Sequence, residues 1–292
     1  MITYDPKTWF KFIFKFHKSD SFRSLIPALI SLILITSALV YIEVNYLKVQ
    51  VKNITFFHQV IGFVLSMLLV FRINTAYDRW WEGRKMWGEL LNLSRTLASQ
   101  INTFLPQTDL EIRKKYSVLI SNFAFSLKEH LRDNKSTEEI EYFNGFSKEE
   151  FLIQHHKPLH IINKLLQETN TLHFNKQFTS EQFLLLNNQL NRYTEITGAC
   201  ERIKSTPIPY SYSLYLKRII FIYVVTMPFV FAIDFKYWAV LFVALIFYSF
   251  ASLELLSEEI EDPFGTDAND LPTDEISFKI KQNVNTVLNQ SV

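Results

Sequence analysis

The chain lacks the residue patterns on which most enzyme classes depend. Its 292 residues include one cysteine, Cys200, so no disulfide can form within the chain. No Walker A loop and no GxGxxG, GxSxG, HExxH or CxxC pattern occurs, which removes the usual nucleotide, nucleophile and zinc signatures. The sequence therefore predicts that the protein is not an enzyme.

The chain also lacks an excess of charge of either sign. It has 30 Lys and Arg against 29 Asp and Glu, for a formal net charge of +1. Because nucleic-acid-binding domains usually carry a basic excess, no nucleic-acid partner is expected. Glycine is scarce at 6 residues, whereas 27 residues are Phe. The mean hydropathy of +0.06 is high for a chain with 20% charged residues, which indicates apolar membrane spans joined to a polar helical part.

Four apolar runs predict transmembrane helices, because a bilayer core of about 30 Å needs about 20 apolar residues in a helix. The runs cover residues 24–42, 53–71, 219–233 and 237–253. Lys and Arg cluster before the first run, after the second and before the third. Since cytoplasmic loops carry the positive charge, both termini are placed in the cytoplasm of a multi-pass protein of the cell inner membrane.

These runs predict an all-α membrane protein with four transmembrane helices per subunit and a large helical cytosolic domain. The predicted regions are an interfacial segment at 1–23, helices 1 and 2 at 24–71, a cytosolic domain at 72–218, helices 3 and 4 at 219–253 and an acidic cytosolic tail at 254–292. For residues 1–23, a helix packed on the soluble part is an equal alternative.

One helix is predicted to run from the second span into the polar region. Residues 53–71 carry no formal charge, and residues 72–95 add Arg, Asp, Glu and Lys interleaved with Tyr77, Trp80, Trp81 and Trp87. Clustered Trp and Arg are typical of a membrane helix that passes through the headgroup layer. No proline interrupts the stretch. Arg72 and the tryptophans are therefore interpreted as interface anchors.

The middle region is predicted to be helical. Apolar residues recur at helical spacing from Ile112 to Leu131 and from Phe183 to Thr197, separated by a polar loop at 133–150. Residues 179–182 read TSEQ, a capping box that opens the second of these helices, and Pro207 and Pro209 end it.

Histidines provide a weak indication of a metal site. His156 and His160 are four residues apart, as one helix face requires, and His155 adjoins them, but Pro158 lies between. A surface turn is favoured over metal binding, because zinc usually needs three or four convergent ligands.

A stripe of side chains along the second span allows two interpretations. Gln59, Phe63, Met67 and Phe71 are spaced four apart on one helix face, and Asn74 and Asp78 continue that face. Bulky apolar side chains on a membrane helix usually face lipid or a neighbouring helix. If copies of the helix surround an axis, Phe63, Met67 and Phe71 become stacked apolar rings, which can gate by dewetting.

Three ordered segments resemble the bestrophin family in its prokaryotic branch. They are residues 71–88, FRINTAYDRWWEGRKMWG, residues 198–209, GACERIKSTPIP, and residues 261–272, EDPFGTDANDLP. The resemblance implies a homopentameric ion channel with four spans per subunit and one axial pore. It places the rings of the pore neck at Phe63, Met67 and Phe71, with Gln59, Asn74 and Asp78 as further pore-lining residues.

The resemblance also implies a cytosolic aperture, which an ungapped count places at Glu181. Five such carboxylates would form an acidic ring, and acidic rings favour cations. The alternative is that Glu181 is a first-turn carboxylate stabilised by the helix N-terminus.

The tail segment resembles the calcium clasp of animal bestrophins, which would make Asp262, Asp267 and Asp270 ligands of Ca²⁺. A structural loop without metal is favoured, so no cofactor is expected.

Taken with the residues, the resemblance predicts a channel for small monovalent ions whose partners are its own copies and the lipid bilayer. Cation conduction, of sodium in particular, is slightly favoured, and a chloride channel is the alternative. A non-conducting helical scaffold or sensor is a second alternative.

Overall fold

The structure, a computed structural model, describes residues 20–47 and 54–289. The predicted interfacial segment at 1–23 lies outside the described residues except for its last four. The elements are α1 (Asp20–Ile42), a π-helical turn (Glu43–Leu47), α2 (Ile54–Phe104), α3 (Leu110–Leu131), α4 (Lys148–Leu152), α5 (Lys157–Phe174), α6 (Ser180–Ser205), α7 (Tyr210–Phe235), α8 (Trp238–Glu261) and α9 (Thr273–Leu288). The all-α prediction is confirmed for this part of the chain.

The described residues form two units. The membrane unit comprises residues up to Arg79 together with 207–261, and the helical unit comprises Trp80–Thr206 together with residues 262–289. Four helices of residues 20–47 and 54–289 are long and apolar enough to cross a membrane, namely α1, α2, α7 and α8. The four predicted spans are thus confirmed as candidate membrane helices.

In the membrane unit, α1 packs against α7 and α8, and α7 packs against α8. The last two helices extend beyond the apolar runs that predicted them. α7 begins at Tyr210, nine residues before its run, and α8 ends at Glu261, eight residues after its run. Each is therefore longer than the about 20 residues that a bilayer core requires.

The long helix α2 is continuous over 51 residues, as the sequence predicts. At 1.5 Å per residue it is about 77 Å long, more than twice the thickness of a bilayer core. It contributes to both units, since the boundary between them falls between Arg79 and Trp80.

In the helical unit, α3 packs against α5, α6 and α9, and α5 packs against α6. Thr179 caps α6 by accepting from the backbone N–H of Gln182, whose side chain accepts from the N–H of Thr179. This confirms the predicted capping box, and α6 ends at Ser205, just before Pro207. The loop before α4 is not fully solvated, because Ile140 and Phe146 are buried in the core of this unit.

A charged cluster joins α9 to α3. Asp274, in the first turn of α9, accepts hydrogen bonds from Arg132 at 2.7 Å and from Lys128 at 2.8 Å. The hydrogen bond from Arg132 has the largest effect, and together with that from Lys128 it lowers the pKa of Asp274 from 3.8 to about 2. A carboxyl group whose folded-state pKa is depressed adds stability above its ordinary pKa and loses it as the pH falls through the lowered value.

Asp274→Asn should therefore lower the melting temperature of the detergent-solubilised protein at pH 7. About 1 kcal/mol is expected after allowing for the exposure of Asp274 to solvent, which corresponds to about 2–4 °C. The difference from wild type should shrink between pH 4 and pH 2. Glu275→Gln, in the same turn, is the matched control, and a difference that persists undiminished at pH 2 would contradict this account.

Candidate functional site

One face of the apolar half of α2 is buried within the membrane unit. Its positions recur at alternating steps of four and three residues: His58, Gly62, Leu65, Leu69, Arg72 and Ala76. Leu65 and Leu69 pack in one core with residues of α7 and α8, among them Leu216, Ile220, Val224, Met227 and Val243. At Gly62 a Cβ would collide with the hydroxyl of Tyr223, so the glycine lets α2 and α7 approach closely. Contacts within the chain thus fix the rotation of α2.

The opposite face of α2 carries the predicted pore stripe. Its residues are all exposed: Gln59, Phe63, Met67, Phe71, Asn74 and Asp78. The exposed fractions of Phe63, Met67 and Phe71 are 71%, 50% and 51%. The buried Leu65 lies two positions after Phe63 and therefore about 200° around the helix. The stripe faces directly away from the chain's own membrane core.

The spacing of the stripe sets what it can do chemically. Phe63, Met67 and Phe71 follow one another at about 6 Å along the helix axis. Around a common axis, copies of α2 would present three apolar rings, followed by the polar side chains of Asn74 and Asp78. Narrow apolar rings block ions by excluding water. The role of each residue in a pore stays a prediction.

Arg72 follows directly on this stripe but lies on the buried face of α2. Its side chain is 1% exposed, and its Nη2 donates to Oε2 of Glu261 at 2.7 Å. The Nε of Arg72 is 3.8 Å from the carboxylate of Glu254. Glu261 also accepts from the backbone N–H of Ile208, and its carbonyl accepts from Arg79 at 3.2 Å. These bonds connect α2 to the end of α8 and, through Glu261, to the residues just before α7.

The interpretation of Arg72 and the tryptophans as interface anchors is wrong for two of them. Arg72 is buried in ion pairs, and Trp87 is fully buried in the core of the helical unit. Trp80 donates from its indole N–H to the carbonyl of Asn269 at 2.9 Å. Contacts of α2 with segments that are distant in the chain, at Glu261 and Asn269, account for the difference.

Glu181 is an exposed residue in the first turn of α6. The capping box formed by Thr179 and Gln182 fixes the start of this helix, so the position of Glu181 in the first turn is defined. The helix N-terminus favours a negative charge there. A role of Glu181 at an aperture stays a prediction.

The three tail aspartates lie in the loop between α8 and α9. Asp262 and Asp267 are exposed, whereas Asp270 is buried. One oxygen of Asp270 accepts from the backbone N–H of Asp267 at 2.6 Å, and a Cβ at Gly265 would collide with the same oxygen. This contact shows how Asp270 shapes the loop, and calcium binding by the three carboxylates stays a prediction.

The histidines that lie close together in the structure are not the ones that their spacing in the sequence relates. His156 precedes α5 as its N-cap and contacts Glu201, together with His130 of α3. His160 lies inside α5 and is 3.7 Å from Glu150. In the described part of the chain, one group of three His, Cys, Asp or Glu side chains has its ligand atoms within 4.8 Å of one another. It consists of His130, His156 and Glu201. His130 and Glu201 were not identified from sequence, because no local spacing connects them.

Comparisons with known proteins agree on one family. The family model described as bacterial/fungal bestrophin protein matches residues 1–286. The chain is 34% identical over 300 residues to a voltage-dependent anion channel-forming protein of Nostoc sp., covering 99% of this chain and 95% of that protein. It is 32% identical over 286 residues to the voltage-dependent anion channel-forming protein YneE of Escherichia coli, covering 96% and 92%.

A solved structure has the same fold. The bacterial bestrophin homologue from Klebsiella pneumoniae matches with a TM-score of 0.82 at 27% identity, covering 92% of this chain and 100% of that one. The match to the family model extends over nearly all of the sequence, and the structural match covers 92% of this chain. The chain therefore belongs to the bestrophin family, whose members are membrane ion channels and not enzymes.

Proposed function

We propose that the chain forms a homopentameric channel in the cell inner membrane that passes small monovalent ions along one axis lined by α2. The observation that carries this proposal is the exposed stripe of Phe63, Met67 and Phe71, diametrically opposite the face that α2 buries in its own subunit. One such helix cannot enclose a path, so copies of the chain must complete it. Both termini lie in the cytoplasm, as the distribution of Lys and Arg predicts.

The gate in this proposal is the apolar neck. Rings of Phe63, Met67 and Phe71 close the path by dewetting when narrow and conduct when the helices move apart. Phe63 is the most exposed of the three. The side chain of Met67 is unbranched and flexible, so the middle ring deforms most easily. The polar Asn74 and Asp78 follow on the same face and keep the path hydrated beyond the neck.

Ion selectivity in this proposal is set at Glu181, with a preference for cations such as sodium. The supporting observation is an exposed carboxylate held in the first turn of α6, since rings of carboxylates attract cations. The second candidate is an anion channel, which the names of the relatives from Nostoc sp. and Escherichia coli favour.

The reversal potential in planar bilayers under a tenfold gradient of sodium chloride separates these candidates. A cation-selective channel reverses near the sodium potential, about 59 mV from zero, and an anion-selective one near the chloride potential of opposite sign. A reversal potential at the chloride value would exclude the cation preference. The mass of the detergent-solubilised complex tests the stoichiometry, and a monomeric mass would contradict the pentamer.

Glu181→Gln should move the reversal potential towards zero or beyond it to the chloride side, because the substitution removes the negative charge from the proposed ring while keeping the side chain's size. Gln is also compatible with the start of α6. The matched control is Glu149→Gln, which neutralises another exposed first-turn carboxylate of the helical unit, on α4. A reversal potential that is identical in wild type and the Glu181 variant would place selectivity elsewhere.

A further inference from the structure

Two histidines and a carboxylate converge at one point of the helical unit. His130 lies in the last turn of α3, His156 precedes α5, and Glu201 lies in the second half of α6. The Nε2 atoms of His130 and His156 are 2.7 Å and 2.8 Å from the same oxygen of Glu201. The two imidazole rings are 4.7 Å apart between their centroids. Three separate helical segments thus contribute one potential ligand each.

We propose that His130, His156 and Glu201 form a binding site for a divalent transition metal, zinc in particular. Imidazole nitrogen and carboxylate oxygen are both ordinary zinc ligands, and three protein ligands with water in the fourth position make a common zinc site. All three ligand atoms lie within 4.8 Å of one another, so small side-chain movements bring them around one ion. The residues are partly exposed to solvent, which gives the metal and its water access.

The hydrogen bonds of His156 indicate how metal binding competes with the metal-free arrangement. Its Nδ1 accepts from the backbone N–H of Leu159 at 3.2 Å, which caps α5. A neutral imidazole has one N–H, so Nε2 carries the proton and donates to Glu201. Binding a metal through Nε2 moves that proton to Nδ1 and removes the cap. The free energy of metal binding must therefore exceed the free energy lost with the helix cap, which lowers the affinity of the site for the metal.

The charges around the site are compatible with a cation. Lys204 lies nearby, with its Nζ 3.4 Å from the carbonyl of His130, but it forms an ion pair with Asp133 that offsets its charge. A bound metal would connect the end of α3, the start of α5 and the second half of α6. It would thereby stabilise the helical unit, since a ligand that binds only the folded state raises its stability.

The experiment measures binding of Zn²⁺ and Co²⁺ to the full-length, detergent-solubilised protein. Equilibrium dialysis against Zn²⁺, followed by metal analysis, should give one zinc per chain. Co²⁺ should give the visible absorption band of a tetrahedral site, and Zn²⁺ should abolish it by displacement. Zinc should also raise the melting temperature. No bound zinc, or a Co²⁺ spectrum of octahedral form only, would overturn the proposal.

Two variants remove a ligand while keeping the local structure. His156→Asn removes the imidazole, but asparagine is a good N-cap, so α5 stays capped. Glu201→Gln retains the shape of the side chain. Each should weaken zinc binding at least about 100-fold, the upper end of the loss seen for residues that merely support a metal ligand, and abolish the rise in melting temperature.

The control is His155→Asn, which removes the adjacent histidine outside the trio and should leave zinc binding unchanged. Size-exclusion chromatography shows whether each variant is folded. If Glu201→Gln fails to fold, His156→Asn decides, because it retains the cap. Zinc binding of wild-type strength in the folded His156 variant would place the metal elsewhere and overturn the proposal.

Discussion

Replacing Phe63, Met67 and Phe71 together by alanine should raise the open probability of the channel in planar bilayers. The three side chains lie on the exposed face of α2, and alanine leaves a wider and less apolar constriction that water enters more readily. A shift of about 1.4 kcal/mol in the closed–open equilibrium equals a tenfold change, and we expect at least this for three rings altered at once. Single-channel recording at fixed voltage and salt measures it.

The matched control changes two exposed apolar residues on another membrane helix. Leu34 and Ile35 of α1 are 67% and 54% exposed and lie outside the pore stripe. Leu34→Ala combined with Ile35→Ala should leave the open probability near that of wild type. If the triple variant gates like wild type, Phe63, Met67 and Phe71 do not form the gate. If the control variant opens as readily as the triple variant, the effect is not specific to the pore stripe of α2.

Local chemistry made much of the fold predictable. The absence of proline and the uninterrupted pattern of residues 53–95 predicted a helix that α2 extends to Phe104. The Thr179–Gln182 capping box and the prolines at 207 and 209 predicted both ends of α6. Each of these features depends on residues within a few positions of one another, and short-range hydrogen bonding and sterics are the same in any context.

The features that the sequence did not reveal depend on long-range contacts. Arg72 and Glu261 are 189 residues apart, and His130 and Glu201 are 71 residues apart. Arg72 does occupy the periodic position between Leu69 and Ala76, so the pattern alone could have placed it on the buried face. An arginine among tryptophans at the end of an apolar run is also typical of a headgroup anchor, and this second pattern favours the interfacial interpretation.

Arg72→Ala should destabilise the membrane unit strongly. Arg72 is 1% exposed and is the ion-pair partner of both Glu261 and Glu254, so its removal takes the ion-pair partner from two buried carboxylates. Breaking a buried ion pair from one side typically costs about 3–5 kcal/mol. We expect a lower yield of the folded protein and a much lower melting temperature in detergent. Arg95→Ala, which removes an exposed arginine from the same helix, is the control and should behave like wild type.

A variant that neutralises the whole charge cluster tests whether the loss of stability in Arg72→Ala arises from the unpaired carboxylates. Combining Arg72→Met with Glu254→Gln and Glu261→Gln removes all three charges and keeps similar side-chain volumes. Replacing a whole buried charge cluster by neutral residues is often close to neutral in stability, so much of the melting temperature should return. Glu261→Gln retains an acceptor for the N–H of Ile208, which preserves that link to the start of α7. If the triple variant is as unstable as Arg72→Ala, the loss of stability comes instead from the packing of the arginine side chain on the buried face of α2.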